Sequence, residues 1–337
     1  MSNYAYVATR ARSRRSRLLP AEAYNQLLNL EHAEIARYIQ DLEYRREIDR
    51  YGSTLSGADL IETALVDNLA KDIGDFLSFS KGKLRDILHV YAEKYRVDNL
   101  KNIIRGINQN MDRQNLERLV CPINDSDKDL YSKLYDSKTV EDVISSLEGT
   151  SYYNPLKKAL ESRNSDSLQP LEDTLDLIYY RNLVSNQPSG GADVEVYRNF
   201  VQLKVDIANI KTLLRMRHRG IGSHDELLIS GGTLATDLLA STQSLEDLLS
   251  SLEGTKYFEL LEPHLKPDSV DLNSCVHSLD EYMAKKTKRF SYLYPISVLP
   301  VLDYLLKKER EVYNLRAIVR GKQAGLANDI IEELVVV

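Results

Sequence analysis

The chain has 337 residues, a hydrophobic content of 43% and a formal net charge of -6 at pH 7. This length and apolar content suffice for a sizeable core in two or three domains, and the mixed charge argues against a nucleic-acid-binding body. The longest apolar runs fall far below the roughly 20 residues that span a bilayer, so we expect any membrane role to depend on a partner. Two cysteines, Cys121 and Cys275, are too few for a disulfide framework and indicate a reducing compartment.

The first segment of the chain is strongly basic. Five arginines lie between Arg10 and Arg17, and no acidic residue precedes Glu22. Such a segment is typical of an organelle transit peptide, of a nucleic-acid-binding arm, or of a basic first helix that ends before Pro20, and we favour the helix. On that interpretation, a basic patch that faces an acidic partner is formed by Arg10, Arg12, Arg14 and Arg15.

Apolar residues at helical spacing dominate the rest of the chain. The predicted helices cover residues 21–50, 56–77, 83–107, 141–147, 155–162, 169–186, 195–219, 234–240, 245–252, 280–286 and 298–321. Turn-forming residues separate these helices at positions 121–125, 186–191, 230–232 and 263–267. No run alternates with period two over a strand length, so the sequence predicts an all-α protein.

One helical phrase occurs three times. It reads Asn, apolar, base, any residue, apolar, apolar, Arg, and the copies are Asn99 to Arg105, Asn209 to Arg215 and Asn314 to Arg320. The copies are 110 and 105 residues apart, a spacing too long for a solenoid unit but suited to a small helical domain present in three copies.

A second phrase supports the same register. Ser145 to Thr150 returns as Ser250 to Thr255, again 105 residues later, and the first copy is blurred around Leu42. The tails that follow the first two Asn-to-Arg helices also resemble each other, with Leu119 matched to Ile229. We therefore predict three similar helical modules in tandem, at residues 1–120, 121–225 and 226–337.

The repeated helix has an apolar stripe with the asparagine at one edge and the bases at the other edge. Two bases at i and i+4 repel each other, so we expect acidic side chains or a helix end opposite them, and we expect Gly106 and Gly321 to cap the helices. We interpret the signature as structural; the alternative is a shared surface that meets a partner. The signature residues are Asn99, Arg105, Asn209, Arg215, Asn314 and Arg320.

Motifs for catalysis and cofactor binding do not emerge. The sequence contains no phosphate-binding G-x-x-x-x-G-K-[ST] loop, no H-E-x-x-H and no G-x-S-x-G elbow, and Cys275 with His277 alone is a weak metal signal. We expect no cofactor, no metal and no catalytic site.

Several phrases together resemble one family, the C subunits of archaeal-type ATP synthases, which are similar to the d subunits of vacuolar-type ATPases. The match covers essentially the whole chain. The phrases that carry it are Tyr4 to Tyr6, Ala8 to Arg12, Leu18-Leu19, Tyr95 to Gly106, Ser230 to Gly232, and Tyr313 to Lys322.

The resemblance implies a pseudo-threefold funnel of helical modules at the cytoplasmic face of the cell membrane. Its implied partners are the proteolipid subunits of the membrane rotor ring and the central shaft of the soluble ATPase head. The implied role is a non-catalytic central-stalk subunit that transmits torque in a proton- or sodium-translocating machine. Two alternatives stay open: a helical adaptor of another assembly, and an all-α enzyme with an unrecognised pocket.

Overall fold

The computed structural model describes residues 2–162, 167–188, 190, 192–221, 225–266 and 269–336. The helices, in chain order, are α1 (Tyr4–Arg15), α2 (Ala21–Leu27), α3 (His32–Gln40), α4 (Arg45–Tyr51), α5 (Gly57–Phe79), α6 (Lys83–Asn108), α7 (Arg113–Leu119), α8 (Asp125–Leu134), α9 (Val140–Ser145), α10 (Tyr153–Glu161), α11 (Gln169–Ser185), α12 (Ala192–His218), α13 (Thr236–Ser241), α14 (Leu245–Ser251), α15 (Lys256–Leu261), α16 (Leu272–Leu293), α17 (Leu299–Gln323) and α18 (Asn328–Leu334). The all-α prediction is confirmed.

Strand structure in the described residues is limited to a short ladder. Two strands of two residues each, β1 (Leu265–Lys266) and β2 (Ser269–Val270), pair in antiparallel register. The same ranges also contain two 3-10 turns, Asp225–Leu227 and Glu262–His264. Three residues of the predicted turns, Ser189, Gly191 and Pro267, lie outside the described residues.

The chain divides into two compact units. The first contains Met1–Leu171 together with Pro300–Val337, so it combines the beginning and the end of the chain. In this unit α5 packs against α3, α4, α6 and α7, and its buried face is mostly leucine, isoleucine and alanine. The second unit contains Glu172–Leu299, where α12 packs against α14 and α16.

One predicted helix is wrong. Residues 21–50 form three short helices, α2 to α4, instead of one long helix. A capping box at Glu31 and Glu34 starts α3, because each side chain accepts a hydrogen bond from the backbone of the other residue. Tyr44, in the next break, turns its ring into the core of the first unit. Local capping and one buried aromatic ring therefore interrupt the helical periodicity.

Other helices are longer or more numerous than the periodicity predicts. The predicted helix at 280–286 is the middle of the 22-residue α16, and α7, α8, α15 and α18 have no counterpart among the predicted helices. Asp112 and Asn124 cap α7 and α8 by accepting hydrogen bonds from the backbone three residues later. These caps compensate for the small apolar faces of the short helices.

The second repeated phrase has the same geometry in both clear copies. Thr139 and Asp142 form a capping box at the start of α9, and Ser244 and Asp247 form the same box at the start of α14. The glycines that follow the two helices both have positive φ, 85° at Gly149 and 76° at its counterpart 105 residues later. The repeated letters therefore reflect a repeated helix start and a repeated helix end.

Candidate functional site

The three signature asparagines make the same pair of hydrogen bonds. Each buried side chain donates through Nδ2 to a backbone carbonyl 2.8 Å away and accepts through Oδ1 from the backbone N–H of the same residue at 2.9 Å. We call this arrangement the amide clamp. The three clamps join Asn99 with Cys121, Asn209 with Ile229, and Asn314 with Val336.

The clamp explains why the residue is asparagine. An amide side chain has a donor and an acceptor side by side. It can therefore pair with the C=O and the N–H of one backbone residue at the same time. An aspartate would lack the donor, and an apolar residue would leave two backbone groups unpaired in a buried place. Each clamp thus fastens the extended tail of a helix back onto that helix.

The clamps show that the tails of the repeated helices align differently from the sequence-based prediction. The sequence matched Leu119 to Ile229, whereas the equivalent clamped residues are Cys121 and Ile229. The clamped residue lies 22 positions after its asparagine in the first and third copies and 20 positions after it in the middle copy. In the outer copies a short helix, α7 or α18, precedes the clamped residue, whereas the described part of the middle copy has a 3-10 turn there.

The glycines after the signature do not cap their helices, contrary to the prediction. Gly106 and Gly321 lie inside α6 and α17, which continue to Asn108 and Gln323. A Cβ at Gly106 would clash with Leu116 of α7, and a Cβ at Gly321 would lie 2.7 Å from Cγ1 of Ile331 in α18. Both glycines let a short helix approach closely. The middle copy has methionine at this position.

In the third copy, the signature bases converge on the acidic residues of α5. Arg316 and Arg320 both bind the carboxylate of Glu62, whose side chain is buried. Arg320 also lies 3.2 Å from Asp59. The buried carboxylate compensates for the repulsion between two bases one turn apart.

The middle copy also has acids opposite its bases, in a looser arrangement. Lys211 binds Asp280 of α16 at 2.6 Å, and Arg215 lies 3.6 Å from Asp173 of α11. In the first copy, Arg105 lies on an exposed face of α6.

Two of the four arginines predicted as a basic patch make internal ion pairs. Arg14 lies 2.7 Å from Asp72 and 2.5 Å from Asp75, and Arg15 lies 2.6 Å from Asp303 of α17. Burial raises the pKa of Asp72 above its ordinary value, although the Arg14 charge and a hydrogen bond from a tyrosine act in the opposite direction. These two arginines dock α1 onto the first unit.

The other two arginines have different surroundings. Arg10 lies over the rings of Tyr6 and Phe79, with its guanidinium carbon 5.0 and 4.5 Å from their centroids, and its side chain remains exposed. Arg12 is also exposed. Of the four arginines predicted to face a partner, Arg10 and Arg12 are the exposed ones, and the contact with a partner stays a prediction.

A buried polar cluster on α17 has no counterpart in the sequence-based predictions. Lys308, which is 1% exposed, donates to the hydroxyl of Tyr44 at 2.7 Å and pairs with Glu311 at 3.1 Å. Glu311 also accepts from the Tyr44 hydroxyl at 2.5 Å and from the backbone N–H of Leu19 at 2.6 Å. Burial and the neighbouring Glu311 raise the pKa of Tyr44 well above its ordinary value.

Three further hydrogen bonds extend this cluster along α17. Tyr304 donates a hydrogen bond to Asp72 of α5, and Glu309 accepts from Lys94 and Tyr95 of α6. We call the whole set the α17 polar cluster: Tyr44, Asp72, Lys94, Tyr95, Tyr304, Lys308, Glu309 and Glu311. Its members lie up to 267 residues apart in sequence, so periodicity could not indicate them.

The described residues show no group of three or more His, Cys, Asp or Glu side chains that could hold a metal ion. Within the same ranges, no helix has both the length and the apolar character needed to cross a membrane. The second unit has a surface depression of about 320 Å³, lined in part by Asp206. This carboxylate accepts hydrogen bonds from the backbone of Thr233 and Leu234 and from the Tyr257 hydroxyl, so its oxygens serve local structure.

The chain is similar in sequence to known proteins over nearly its whole length. The ATP synthase (C/AC39) subunit family matches the chain over residues 7–334. The chain is 36% identical to the A-type ATP synthase C subunit of Haloferax volcanii, covering 99% of this chain and 98% of that protein. It is 34% identical to the protein of the same name from Halobacterium salinarum, over 98% and 97% of the two chains, and 32% identical to that of Methanosarcina mazei, over 100% and 93%. The chain belongs to the ATP synthase (C/AC39) subunit family.

Proposed function

We propose that this protein is a non-catalytic central-stalk subunit of a proton- or sodium-translocating rotary ATP synthase. In this role it links the proteolipid ring in the membrane to the central shaft of the soluble head and transmits torque between them. It lies at the cytoplasmic face of the cell membrane and is held there through the complex. Family membership and the relatives named as C subunits of A-type ATP synthases support this proposal.

The observation that carries the proposal is the threefold amide clamp. Three helices with one signature, each fastened to its own tail by the same two hydrogen bonds, support three equivalent modules at 1–120, 121–225 and 226–337. A pseudo-threefold funnel is the arrangement of such modules that we infer.

A tyrosine adds a second equivalence to the clamps. Asn99 donates to the hydroxyl of Tyr131, which follows it in the chain, and Asn314 is hydrogen-bonded with Tyr24, near the start of the chain. The two tyrosines are 107 residues apart, in register with the repeat. In the first and the last copy a tyrosine hydroxyl thus joins the clamped asparagine, which supports the equivalence of these two modules.

The α17 polar cluster suits a part that bears torque. Hydrogen bonds weaken steeply when their angles and distances change, so a buried set of them adds to close packing in fixing the position of a helix. The cluster connects α17 with Tyr44, with Asp72 of α5 and with Lys94 of α6. Sliding of α17 along the first unit would break several of these bonds at once.

Affinity capture tests the bridging role. The tagged chain is expressed in its native cells, the membranes are solubilised in mild detergent, and the captured proteins are identified by mass spectrometry. Recovery of head subunits together with the proteolipid subunit is the expected result, with the untagged strain as control. Recovery of neither, from membranes that contain the intact complex, would contradict the proposal and favour an adaptor of another assembly.

A further inference from the structure

The end of α16 has an unusual surface. Tyr292, Leu293 and Ile296 are 64%, 59% and 66% exposed, and the residues between them, Tyr294 and Pro295, are exposed as well. Five consecutive exposed residues of this kind form an apolar tip where α16 ends and the chain turns into α17. We call residues 292–296 the apolar tip.

A group of bases lies directly before the apolar tip. Lys285, Lys288 and Arg289 are exposed, and with Tyr292 they occupy positions i, i+3, i+4 and i+7, which form one face of the helix. Lys285 pairs with Glu281 at 3.1 Å, whereas Lys288 and Arg289 have no ion-pair partner among the residues that the structure describes. No acidic residue occurs from Lys285 through the apolar tip.

The other modules show that the fold does not require this composition. A turn joins two long helices, the second with an amide clamp, at three places in the chain. Between α5 and α6 the turn is Ser80-Lys81-Gly82, and between α11 and α12 it begins with Asn186, Gln187 and Pro188. Among the described residues of these turns, only the third combines exposed aromatic and aliphatic side chains with a cationic helix end. This surface is therefore a local specialisation of one module.

We propose that the apolar tip and its bases contact the anionic headgroup layer of a lipid bilayer. Lysine and arginine beside exposed tyrosine, leucine and isoleucine suit this layer, because the cations meet phosphates while the rings and aliphatic groups enter the boundary with the acyl chains. The contact is interfacial and needs no membrane-spanning helix. This lipid contact goes beyond the proposed function, because the chain would bind the bilayer by itself, without the other subunits of the complex.

The shape of the segment favours lipid over an acidic protein as the occupant. A protein partner covers one face of a helix or fills a groove, whereas here every residue from 292 to 296 is exposed, so the side chains project in several directions. A fluid headgroup layer surrounds such a projection without requiring a complementary surface. The net charge of -6 disfavours general attraction to anionic lipid, so binding would require this local cationic surface.

Vesicle co-sedimentation tests the proposal with the purified full chain. Vesicles of phosphatidylcholine alone are compared with vesicles that contain phosphatidylglycerol, at low and high salt. Binding only to the anionic vesicles, weakened by salt, is the expected result. Absence of binding to the anionic vesicles would overturn the proposal.

Matched variants locate the contact. Lys288→Glu/Arg289→Glu should weaken binding about tenfold or more, because each base near an anionic surface contributes about fivefold to affinity. Lys81→Glu/Lys133→Glu is the control, since it makes the same change of charge at exposed lysines elsewhere. If both double variants lose binding equally, the attraction is non-specific and the proposal fails.

A second pair of variants tests the apolar component. Leu293→Ser/Ile296→Ser should reduce binding several-fold even at high salt, whereas Ile330→Ser/Leu334→Ser, which changes exposed residues of α18, should not. Circular dichroism and thermal unfolding establish that all variants are folded. The lipid proposal is wrong if the unaltered chain does not bind vesicles and Lys288→Glu/Arg289→Glu no longer captures ATP synthase subunits. In that case the surface binds protein.

Discussion

Lys308 of α17 donates a hydrogen bond to the hydroxyl of Tyr44 at 2.7 Å, and its ammonium lies 4.0 Å from the centroid of the same ring. Both side chains are almost completely buried, and Glu311 balances the charge of the lysine. Residues 264 positions apart in sequence thus form one compact polar unit, which holds the last long helix to the first part of the chain.

Replacing Lys308 by methionine should destabilise the protein strongly. The change leaves the Glu311 carboxylate buried without its cation, which costs about 3–5 kcal/mol of unfolding free energy. Urea unfolding measures the loss. Lys322→Met, on the same helix but partly exposed, is the control and should change the free energy by less than about 0.5 kcal/mol. The double variant Lys308→Met/Glu311→Met should regain part of the loss, because no unpaired charge remains buried, although Leu19 and Tyr44 lose their acceptor. Equal effects of Lys308→Met and Lys322→Met would contradict this account.

Removing the amide clamp of the middle module should lower the unfolding free energy of the protein and also loosen the clamped tail locally. Asn209→Ala leaves the N–H and C=O of Ile229 unpaired, and we expect a loss of about 2–4 kcal/mol, since each buried unpaired group costs about 1–3 kcal/mol. Hydrogen exchange of the Ile229 amide should become faster. Asn199→Ala, at an exposed position of the same helix, should change neither quantity. Unchanged exchange at Ile229 would show that the clamp does not hold the tail.

The close approach at Gly321 predicts that a better helix former destabilises this protein. Alanine normally stabilises a helix interior by about 1 kcal/mol relative to glycine. Here its Cβ would lie 2.7 Å from Ile331, so Gly321→Ala should cost about 1–3 kcal/mol. In a double-mutant cycle followed by thermal unfolding, Gly321→Ala should cost less in the Ile331→Ala background than in the unaltered protein. A more stable Gly321→Ala single variant would contradict the close packing of α18.

The buried thiol of Cys121 should make the stability of the protein decrease at alkaline pH. Burial raises the pKa of its thiol to about 12, from an ordinary value of 9.0. The folded state therefore keeps the proton that the unfolded state loses, so the contribution is present below pH 9 and declines as the pH rises towards 12, by about 1.4 kcal/mol per pH unit. The unfolding free energies of the protein and of Cys121→Ala should converge over this range. A free-energy difference that stays constant with pH would show that the thiol ionises at its ordinary pKa. The buried tyrosines ionise in both proteins alike, so they do not contribute to this difference.

Much of the candidate site is readable in the sequence, because the signature is local. The Asn-to-Arg phrase occupies seven residues on one helix, and its apolar stripe and its need for acidic neighbours follow from helical geometry. The match between the tails is two positions off, because the sequence pairs Leu119 with Ile229, whereas the clamped residue of the first copy is Cys121. The cause is the short helix α7, whose cap at Asp112 is a weak signal in a polar stretch.

The remaining features depend on residues that are distant in sequence. Arg14 and Arg15 read as a solvated basic segment because their acids are 58 and 288 positions away. The break near Tyr44 depends in the same way on Lys308 and Glu311 of α17. Periodicity reports only which face of an element is apolar, so it cannot show that a polar residue pairs with another across the core.

Reconstitution most directly tests whether this chain couples the head to the membrane ring. Membranes depleted of the chain are mixed with head and shaft subunits, with and without the purified protein, and ATP-driven ion uptake into the vesicles is measured together with ATP hydrolysis. We expect ion uptake only when the chain is added, while hydrolysis by the head continues in either case. Equal ion uptake without the chain would contradict the coupling role.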